Sequence, residues 1–377
     1  MSYWQTQPLA SRVVNLDSRR VPVRSADRRP GPFPYYGASG IVDHIDDFLF
    51  EGLHLLVAED GENLRSRKTP IAFLADGRFW VNNHAHIVQG NAENDTQFLA
   101  YALGATDVTG YLSGSTQPKL TQRALASIPV TAPELPEQQR IARTLGALDG
   151  KISSNRRVIG IAGAILDATT EAAGRSLPFV PLGELANTTR ATVHPASLGD
   201  AFVDHFSVPA FDGGEWPERV SASAIMSGKL RITQPSILIA RLNPRFNRTW
   251  WVVPSDGTAG LASTEFSCLT AKPSGSLASL WLAVRDRSFR DELPRRVTGT
   301  SGSHQRIRHD DLLSIEVPDV RRIADSVKEE ARDLLDLVHW RRRETTALSS
   351  LRDALLPELL SGRIRVPETV EAVEATA

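Results

Sequence analysis

The chain has 377 residues, a formal net charge of −1 at pH 7 and 41% hydrophobic residues. These values are those of a globular protein large enough for two domains, and they exclude an intrinsically disordered chain. The single cysteine, Cys268, excludes a disulfide framework and a multi-thiolate zinc site. Because no apolar run approaches bilayer length and the first residues lack a signal-peptide pattern, we expect a cytoplasmic protein without a membrane partner.

The near-zero net charge carries no general nucleic-acid signature, so any affinity for phosphate must come from local basic patches. One patch lies in the first third of the chain, where Arg19 and Arg20 open an arginine-rich stretch. A solvated basic face is an equally good interpretation of such a cluster. Residues 1–133, which contain it, are irregular and are expected to form a first globular domain.

A long helix is expected over residues 134–178, with Pro136 at its first turn. Its apolar positions step by four, three and four residues, a pattern typical of a helix that pairs with another. They are Ile141, Leu145, Leu148 and Ile152, and the same register continues through Asn155, Ile159, Ala162 and Leu166. Glycines at 146, 150, 160 and 163 oppose an unbroken helix unless close backbone approach is useful there.

Residues 179–318 are expected to form a second globular domain, followed by a second spacer segment over residues 319–363 that is expected to be helical from about Val320 to Leu356. The seam positions are Val327, Ala331, Leu334 and Val338, then Leu348, Leu351 and Leu355 after three consecutive arginines. At 1.5 Å per residue each helix would span roughly 50–60 Å. We interpret them as an antiparallel ruler with a globular region at each end; folded-back bundle helices are the alternative. Residues 364–377 are expected to be a disordered tail.

The chain repeats its own pattern. Gly114-Ser115-Thr116-Gln117 leads to Ile128-Pro129-Val130 in the first half, and 299–305, from Gly299 to Gln305, leads to Ile315-Glu316-Val317 in the second. A long-period duplication favours two similar lobes. The expected fold class is therefore mixed α/β, with two globular domains separated by two long helices that pair as an antiparallel coiled coil, in an internal two-fold repeat.

The helix motifs carry a family resemblance. Residues 135–145 read LPEQQRIARTL and residues 351–363 read LRDALLPELLSGR, each beside a globular region. In this combination the chain resembles the DNA-specificity (S) subunit of type I restriction–modification enzymes, over nearly its whole length. One departure is that Val317-Pro318-Asp319-Val320 opens the second helix without the Glu-Gln-Gln of the first, so contacts made through that motif are expected to be asymmetric.

The resemblance implies a non-catalytic targeting subunit of a host-defence restriction system. Each globular region would be a target-recognition domain that reads one half of a split double-stranded DNA sequence. The helices would fix the gap and dock methyltransferase (M) subunits, two of them, which carry S-adenosylmethionine and methylate adenine at N6. A restriction (R) subunit with ATP and Mg²⁺ would join in some complexes, and no cofactor or metal is expected in this chain.

Candidate DNA-binding residues are polar or aromatic side chains in the motifs that resemble recognition domains. They are Arg19, Arg20, Tyr35, Tyr36, Asn82, Asn83, His84, His86, Ser115, Gln117, Lys119, Arg241, Asn243, Arg245, Ser301, Ser303, His304, Gln305 and Arg306. Asn and Gln suit adenine edges, Lys and Arg suit guanine, and serine hydroxyls suit phosphates or base edges. A turn-stabilising role is the alternative for each, and for His84 and His86 a hydrogen-bonded structural role is favoured over metal binding.

For helix pairing and partner docking the candidates are apolar seam residues. They are Ile141, Leu145, Leu148, Ile152, Leu334, Val338, Leu348, Leu351 and Leu355. Two other function classes stay open. Asn243-Pro244-Arg245-Phe246 is close to the Asn-Pro-Pro-Phe/Tyr motif of adenine methyltransferases, although the glycine-rich loop that such an enzyme needs for its cofactor is missing from the sequence. A structural adaptor that never touches DNA would leave the amide-rich loops unexplained.

Overall fold

The computed structural model describes residues 4–114, 116–189, 191–297 and 305–367. The chain divides into two compact units. Unit 1 comprises residues 1–150 and 349–377, and unit 2 comprises residues 151–348. Both long helices contribute residues to both units, so the units do not end at the domain boundaries expected from the sequence.

Unit 1 contains both helices and strands. In chain order its strands are β1 (Gln5–Pro8), β2 (Val13–Asn15), β3 (Pro30–Gly37), β4 (Gly40–Ile45), β5 (Phe50–Glu51), β6 (His54–Ala58), β7 (Ala72–Ala75), β8 (Arg78–Val81), β9 (Ala85–Gly90) and β10 (Pro129–Ala132). Its helices are α1 (Asn63–Ser66), α2 (Thr96–Ala105), α3 (Gln122–Ser127) and the first part of α4 (Leu135–Gly174). Helix α2 begins where the Asp95 carboxylate accepts a hydrogen bond from the Phe98 amide.

The strands of unit 1 form an antiparallel sheet in the order β2-β9-β6-β7, a sheet in the order β4-β3-β8-β5 and the antiparallel pair β1-β10. Strand β6 is buried on both faces and is apolar after His54. Its alternating side chains enter different cores: Leu55 and Val57 pack with α2, α3 and α4, whereas Leu56 packs with Phe50 and Phe79 of the second sheet. Because successive side chains of a strand point to opposite faces of the sheet, this one strand contributes to two cores.

Unit 2 is built in the same way. Its strands are β11 (Phe179–Pro181), β12 (Ala186–Thr189), β13 (Thr192–Val193), β14 (Phe202–Phe206), β15 (Glu218–Ser221), β16 (Lys229–Ile232), β17 (Ser236–Ala240), β18 (Thr249–Val252), β19 (Ala259–Ala262), β20 (Phe266–Ala271) and β21 (Glu316–Pro318). Its helices are the remainder of α4, α5 (Leu182–Leu185), α6 (Val208–Asp212), α7 (Leu277–Arg285), α8 (Arg287–Glu292), α9 (His309–Leu313) and most of α10 (Asp325–Leu360), whose last residues belong to unit 1. Ser276 and Ser279 form a capping box that starts α7.

The sheets of unit 2 have the strand orders β12-β20-β17-β18 and β15-β14-β19-β16-β13, beside the pair β11-β21. Strand for strand, this is the arrangement of unit 1 with β13 added at one edge. The central registers agree as well: residues 55–58 pair with 85–88, and residues 237–240 pair with 266–269 in the same antiparallel sense. Strand β17 also divides its side chains between two cores, Ile237 and Ile239 facing one and Leu238 the other.

Within each unit the two long helices contact each other through side chains. In unit 1, Arg352 Nη1 lies 2.9 Å from Asp149 Oδ1. In unit 2, the buried Asn155 donates from Nδ2 to Glu344 Oε2 at 2.9 Å. Leu166, later in α4, packs in the same core as Leu335, earlier in α10. The contacts in unit 2 therefore run in the antiparallel sense.

The second helix starts later than the sequence pattern suggests. Val320–Arg322 is a short 3₁₀ turn, Ile323 is extended, and α10 begins only at Asp325. Because Asp319 binds the side chains of Arg321 and Arg322, the segment before α10 is tied back as a turn. The expected helix start at residues 319–320 is corrected accordingly, and α4 ends at Gly174 before the expected residue 178.

Most of the expected seam of α4 is buried, but its buried residues pack inside the units. Ile141 and Leu145 belong to the core of unit 1, together with Leu355 of α10 and the buried Leu359, which the sequence pattern did not single out. Such residues stabilise the fold and are not available to dock another protein. Leu351 is 47% exposed, so its expected place in the helix seam is corrected.

The remaining seam positions vary in burial. Ile152 and Val338 are buried, and Leu148, Leu334 and Leu348 are half-buried. Leu335, one residue after Leu334, takes the fully buried position.

Other sequence features also find a place in the fold. Of the α4 glycines, a Cβ on Gly146 would meet the Gln97 side chain, whereas one on Gly150, Gly160 or Gly163 would meet open space. The Glu-Gln-Gln motif packs into unit 1 through Gln138, which accepts from the Asp95 amide at 2.9 Å.

The C-terminal end differs from the disordered tail expected to begin at residue 364. The Ile364 amide donates to the Glu358 carbonyl at 3.3 Å, and Val366 packs against the core of unit 1. Within the described ranges, none of the helices is long and apolar enough to cross a lipid bilayer.

Candidate nucleic-acid interface

Segments distant in sequence meet beyond the end of strand β6. We call this meeting point the loop junction of unit 1, formed by residues 59–61, 82–84 and 118–120. The Glu59 amide donates to the His84 carbonyl at 2.9 Å, and the Glu59 carbonyl accepts from the Leu120 amide at 2.8 Å. The Gly61 amide donates to the Pro118 carbonyl at 3.1 Å. Backbone hydrogen bonds therefore fix the relative positions of the side chains in this junction.

The exposed basic side chains of this junction are each held by a carboxylate. Lys119 Nζ lies 3.2 Å from Glu59 Oε1, and His84 Nδ1 lies 2.8 Å from Asp60 Oδ2. Asp60 and Lys119 also form an antiparallel β-bridge. Lys119 and His84 are both about half exposed, so the structure brings these two predicted DNA-binding residues together at a surface.

Two further predicted residues lie beneath this surface. Arg20 donates from Nη1 to Glu59 Oε2 at 2.8 Å. His86 is buried, with Nδ1 2.6 Å from Asp17 Oδ2 and Nε2 2.8 Å from the Leu120 carbonyl oxygen. Contact of His86 with a base is therefore corrected to a structural role, because its ring nitrogens are used inside the unit.

The Glu59 carboxylate stays ionised in this setting. Its burial by itself would raise its pKa, but the hydrogen bond from Arg20, the charge of His86 and the hydrogen bond from Lys119 together lower it. The junction thus combines negative and positive groups and is not a simple basic patch.

Tyr35 and Asn82 also take structural roles. Tyr35 is 1% exposed, and its hydroxyl accepts from the Val23 amide at 3.0 Å. Asn82 is buried, and its Oδ1 accepts from the His84 amide at 2.8 Å. Tyr36 is half-buried against the rings of Phe73 in the first sheet and Phe79 in the second. Since their polar groups or rings are engaged within the unit, the expectation that Tyr35 and Asn82 contact DNA is corrected.

Other candidates of unit 1 remain at the surface. Arg19 is exposed, with its guanidinium carbon 5.2 Å from the Phe50 ring centroid. Asn83, within the junction, and Gln117, just before its third segment, are exposed. Ser115 lies outside the described residues.

Unit 2 has a junction at the equivalent place, beyond the end of β17. We call it the loop junction of unit 2, formed by residues 241–243, 263–265 and 305–307. The Arg241 amide donates to the Glu265 carbonyl at 2.7 Å, and the Arg241 carbonyl accepts from the Ile307 amide at 3.1 Å. The Asn243 amide donates to the Gln305 carbonyl at 2.8 Å. Each of these bonds has its counterpart in unit 1.

The turn before the central partner strand is also equivalent in the two units. In unit 1 the His84 amide donates to the Asn82 side chain at 2.8 Å, and in unit 2 the Glu265 amide donates to Ser263 Oγ at 3.2 Å. His84 and Glu265 therefore occupy the same backbone position. Asn82 and Ser263 set the turns as short polar side chains commonly do.

The side chains of the second junction differ from those of the first. Arg306 forms two hydrogen bonds with Glu265, Nη2 to Oε1 at 2.6 Å and Nε to Oε2 at 3.1 Å. Arg241 donates from Nη2 to the Thr264 carbonyl at 2.6 Å. The structure thus brings together Arg241, Gln305 and Arg306, all predicted from the sequence.

Arg245 and Phe246, just beyond the junction, and Asn243 within it complete this surface. Arg245 is exposed and stacks at 4.9 Å from the ring centroid of Phe246, itself 54% exposed. Asn243 has a left-handed backbone with φ of 50°, and its buried Oδ1 accepts no hydrogen bond within the described residues. Ser301, Ser303 and His304 lie outside the described residues.

Sequence reasoning missed the carboxylates of both junctions. Glu59 and Asp60 follow directly after the apolar strand β6, and Glu265 directly precedes strand β20. Acidic residues at the ends of buried strands could have marked them, since functional side chains concentrate where rigid strands pass into loops. Over the described residues, no group of three or more His, Cys, Asp and Glu is placed to hold a metal ion.

Comparison with known proteins identifies relatives. A family model described as type I restriction modification DNA specificity domain matches residues 1–159. A Haemophilus influenzae protein named as a type I restriction enzyme specificity subunit is 36% identical over 145 residues, which are 38% of this chain and 37% of that protein. The match therefore spans little more than a third of the relative's length. The resemblance to type I specificity subunits inferred from the helix and loop motifs is confirmed.

The fold has a solved relative as well. The crystal structure of a type I restriction-modification system S subunit from M. genitalium matches with a TM-score of 0.68 at 15% identity, over 95% of this chain and 96% of that one. At this identity the likeness concerns the fold alone, and the fold of this chain is of mixed α/β type.

Proposed function

We propose that this chain, whose residues 1–159 match a type I restriction modification DNA specificity domain, is the specificity subunit of a type I restriction–modification complex. The observation that carries the proposal is the recurrence of one loop junction in both units, at the ends of equivalent buried strands. Two loop junctions with equivalent backbones and different side chains suit a bipartite DNA target, of which each unit would read one half.

The chemistry of the junctions fits base edges in the major groove. Lysine and arginine address O6 and N7 of guanine, carboxylates accept from the amino group of cytosine, and amides pair with adenine. Lys119 and Arg306 supply the cations, Glu265 a carboxylate, and Asn83 and Gln117 exposed amides. The exposed Arg19 and Arg245 suit phosphates, which position a protein without reading sequence.

The helices α4 and α10 are proposed to form an antiparallel coiled coil that sets the unread gap between the half-sites. Support comes from the side-chain contacts within each unit, Asp149 with Arg352 and Asn155 with Glu344. The equivalent strand orders support an internal two-fold repeat.

Catalysis is proposed to reside in partner subunits. Methyltransferase subunits, two per complex, would bind S-adenosylmethionine and modify adenine, and a restriction subunit would supply ATP- and Mg²⁺-dependent cleavage. Because the apolar seam is used inside the units, docking would use exposed helix residues such as Ile161, Ile165 and Trp340. A cytoplasmic location follows from this set of partners.

The test is a genome-wide map of N6-methyladenine in cells carrying this chain and its methyltransferase, compared with cells lacking only this chain. A split motif that disappears with the chain is the expected result. An unchanged map with an active methyltransferase would overturn the proposal and favour an adaptor. Methylation by the purified chain alone would favour an enzyme instead. Salt-dependent binding of the purified complex to DNA separates these outcomes further.

A further inference from the structure

The loop junctions of the two units have equivalent backbones but a different placement of charge. Position 59 of unit 1 corresponds to position 241 of unit 2. In each case the backbone amide donates to the turn before the partner strand, and the carbonyl accepts from the third segment of the junction. By the same bonds, His84 corresponds to Glu265. The bridges of residue 60 with 119 and of residue 242 with 306 make Lys119 equivalent to Arg306.

Both junctions have an exposed cation at the same position, but the carboxylate that pairs with it comes from a different segment in each unit. Lys119 is held by Glu59, at the end of β6, whereas Arg306 is held by Glu265, before β20. At the position of Glu265, unit 1 has His84. In unit 2 the cation Arg306 is therefore paired with an acidic residue in the turn before β20, whereas in unit 1 the equivalent turn position is His84.

We propose that residues 84 and 119 of unit 1, and residues 265 and 306 of unit 2, are the positions that make the two half-sites differ, with Glu265 and Arg306 together reading one cytosine–guanine pair. This inference rests on the proposed function, and it goes further by naming the residues that distinguish the half-sites and one base pair that they read. It concerns side chains whose positions are fixed by hydrogen bonds before DNA binds.

The hydrogen-bonding capacities of Glu265 and Arg306 match that base pair. In the major groove a cytosine–guanine pair presents the cytosine amino donor beside the guanine O6 and N7 acceptors. A carboxylate has about four acceptor sites and a guanidinium five donors, so hydrogen bonds between Arg306 and Glu265 are compatible with further bonds to bases. Arg306 is 52% exposed and Glu265 27% exposed, which leaves the pair accessible.

Pairing with the carboxylate also restricts the orientation of the arginine. A guanidinium held by two parallel bonds has a defined plane, which favours bidentate recognition of guanine. In unit 1 the Lys119 ammonium is a point charge without such a plane, and His84 is held by Asp60. Unit 1 is accordingly not expected to require cytosine–guanine at the corresponding position.

The experiment maps methylated motifs in cells that express the full chain with its methyltransferase. With Glu265→Gln or Arg306→Gln, we expect one cytosine–guanine position in one half-site to become degenerate, with discrimination reduced roughly 5- to 150-fold. The other half-site and the gap should not change. Arg363→Gln is the matched control, because Arg363 forms the same two-bond pair with Glu358, at 2.8 and 2.7 Å, outside both junctions.

A transplanted pair gives a second, independent readout. The double variant His84→Glu with Lys119→Arg should introduce a cytosine–guanine requirement at one position of the other half-site, a gain that misfolding cannot produce. Unchanged motifs in the unit 2 variants, or a double variant that methylates without the new requirement, would overturn the inference. If the unit 2 variants abolish methylation, the double variant decides. Absence of any split motif with the unaltered chain would instead count against the proposed function.

Discussion

The imidazole Nδ1 of His86 lies 2.6 Å from the Asp17 carboxylate, and both residues are buried beneath the loop junction of unit 1. Asp17 also accepts from the Ile87 amide at 2.9 Å. The pair connects the segment before β3 to the central strand β9. Its role is to support the junction and not to contact a ligand.

We expect Asp17→Asn to destabilise unit 1 by about 1.5–3 kcal/mol at pH 7, the range for a hydrogen bond to a charged group. Burial by itself would raise the pKa of Asp17, but the hydrogen bond and charge of His86 and the Ile87 amide lower it overall. A lowered carboxylate pKa stabilises the fold above the ordinary aspartate value of about 3.9 and loses that effect as the pH falls through the folded value.

The check is the free energy of unfolding of the unaltered chain and of the Asp17→Asn variant, measured by urea titration from pH 7 to pH 3. The difference between them should be constant at neutral pH and should shrink below about pH 4. Glu51→Gln is the control, since Glu51 pairs with Arg78 at an exposed site. A difference that persists unchanged at acid pH would contradict the assigned linkage.

Leu145→Asn should lower the stability of unit 1 itself by about 3 kcal/mol or more, because a fully buried leucine is replaced by a polar group. Leu145 is fully buried in the core that contains Leu9 and Leu125. Leu351→Asn, on the other long helix, should change stability by less than about 0.5 kcal/mol because Leu351 is exposed. Urea denaturation of the two variants distinguishes them, and equal losses would show that Leu351 is part of a helix seam.

The middle one of the three consecutive arginines of α10, Arg342, gives a prediction. Arg342 Nη2 lies 2.7 Å from Glu215 Oε2, and both side chains are largely buried. Arg342→Gln should cost about 2 kcal/mol, less than the loss for a fully buried pair, because some solvent reaches both groups. A double-mutant cycle with Glu215→Gln measures the coupling energy, and a value near zero would reject a stabilising pair.

Lengthening both helices together tests the proposed ruler. Four residues inserted after Ser154 of α4, with four after Leu348 of α10, add roughly 6 Å of helix. The unread gap in the methylated motif should then lengthen by one or two base pairs, while both half-sites keep their sequence. An insertion in α4 alone is the control that disturbs the register, and an unchanged gap with matched insertions would refute the ruler.

Some features of the site could be read from the sequence because they depend on local pattern. The periodic residues Ile141, Leu145 and Ile152 indicated a buried helix face, and they are buried. The loop motifs indicated Lys119 and Arg306, which occupy equivalent exposed positions. For Tyr35 and His86 the same reasoning was wrong about exposure, since a residue type in a loop motif does not reveal which way the chain turns.

The sequence by itself determined the family resemblance, the mixed α/β class and the placement of the long helices, because hydrophobic period and short motifs are local properties of the chain. Only the tertiary structure decided that Glu59 faces Lys119 and that Glu265 faces Arg306, since these partners lie in different segments brought together by backbone hydrogen bonds. It also decided that the helix seam serves the cores of the units, because burial depends on what the rest of the chain packs against that face.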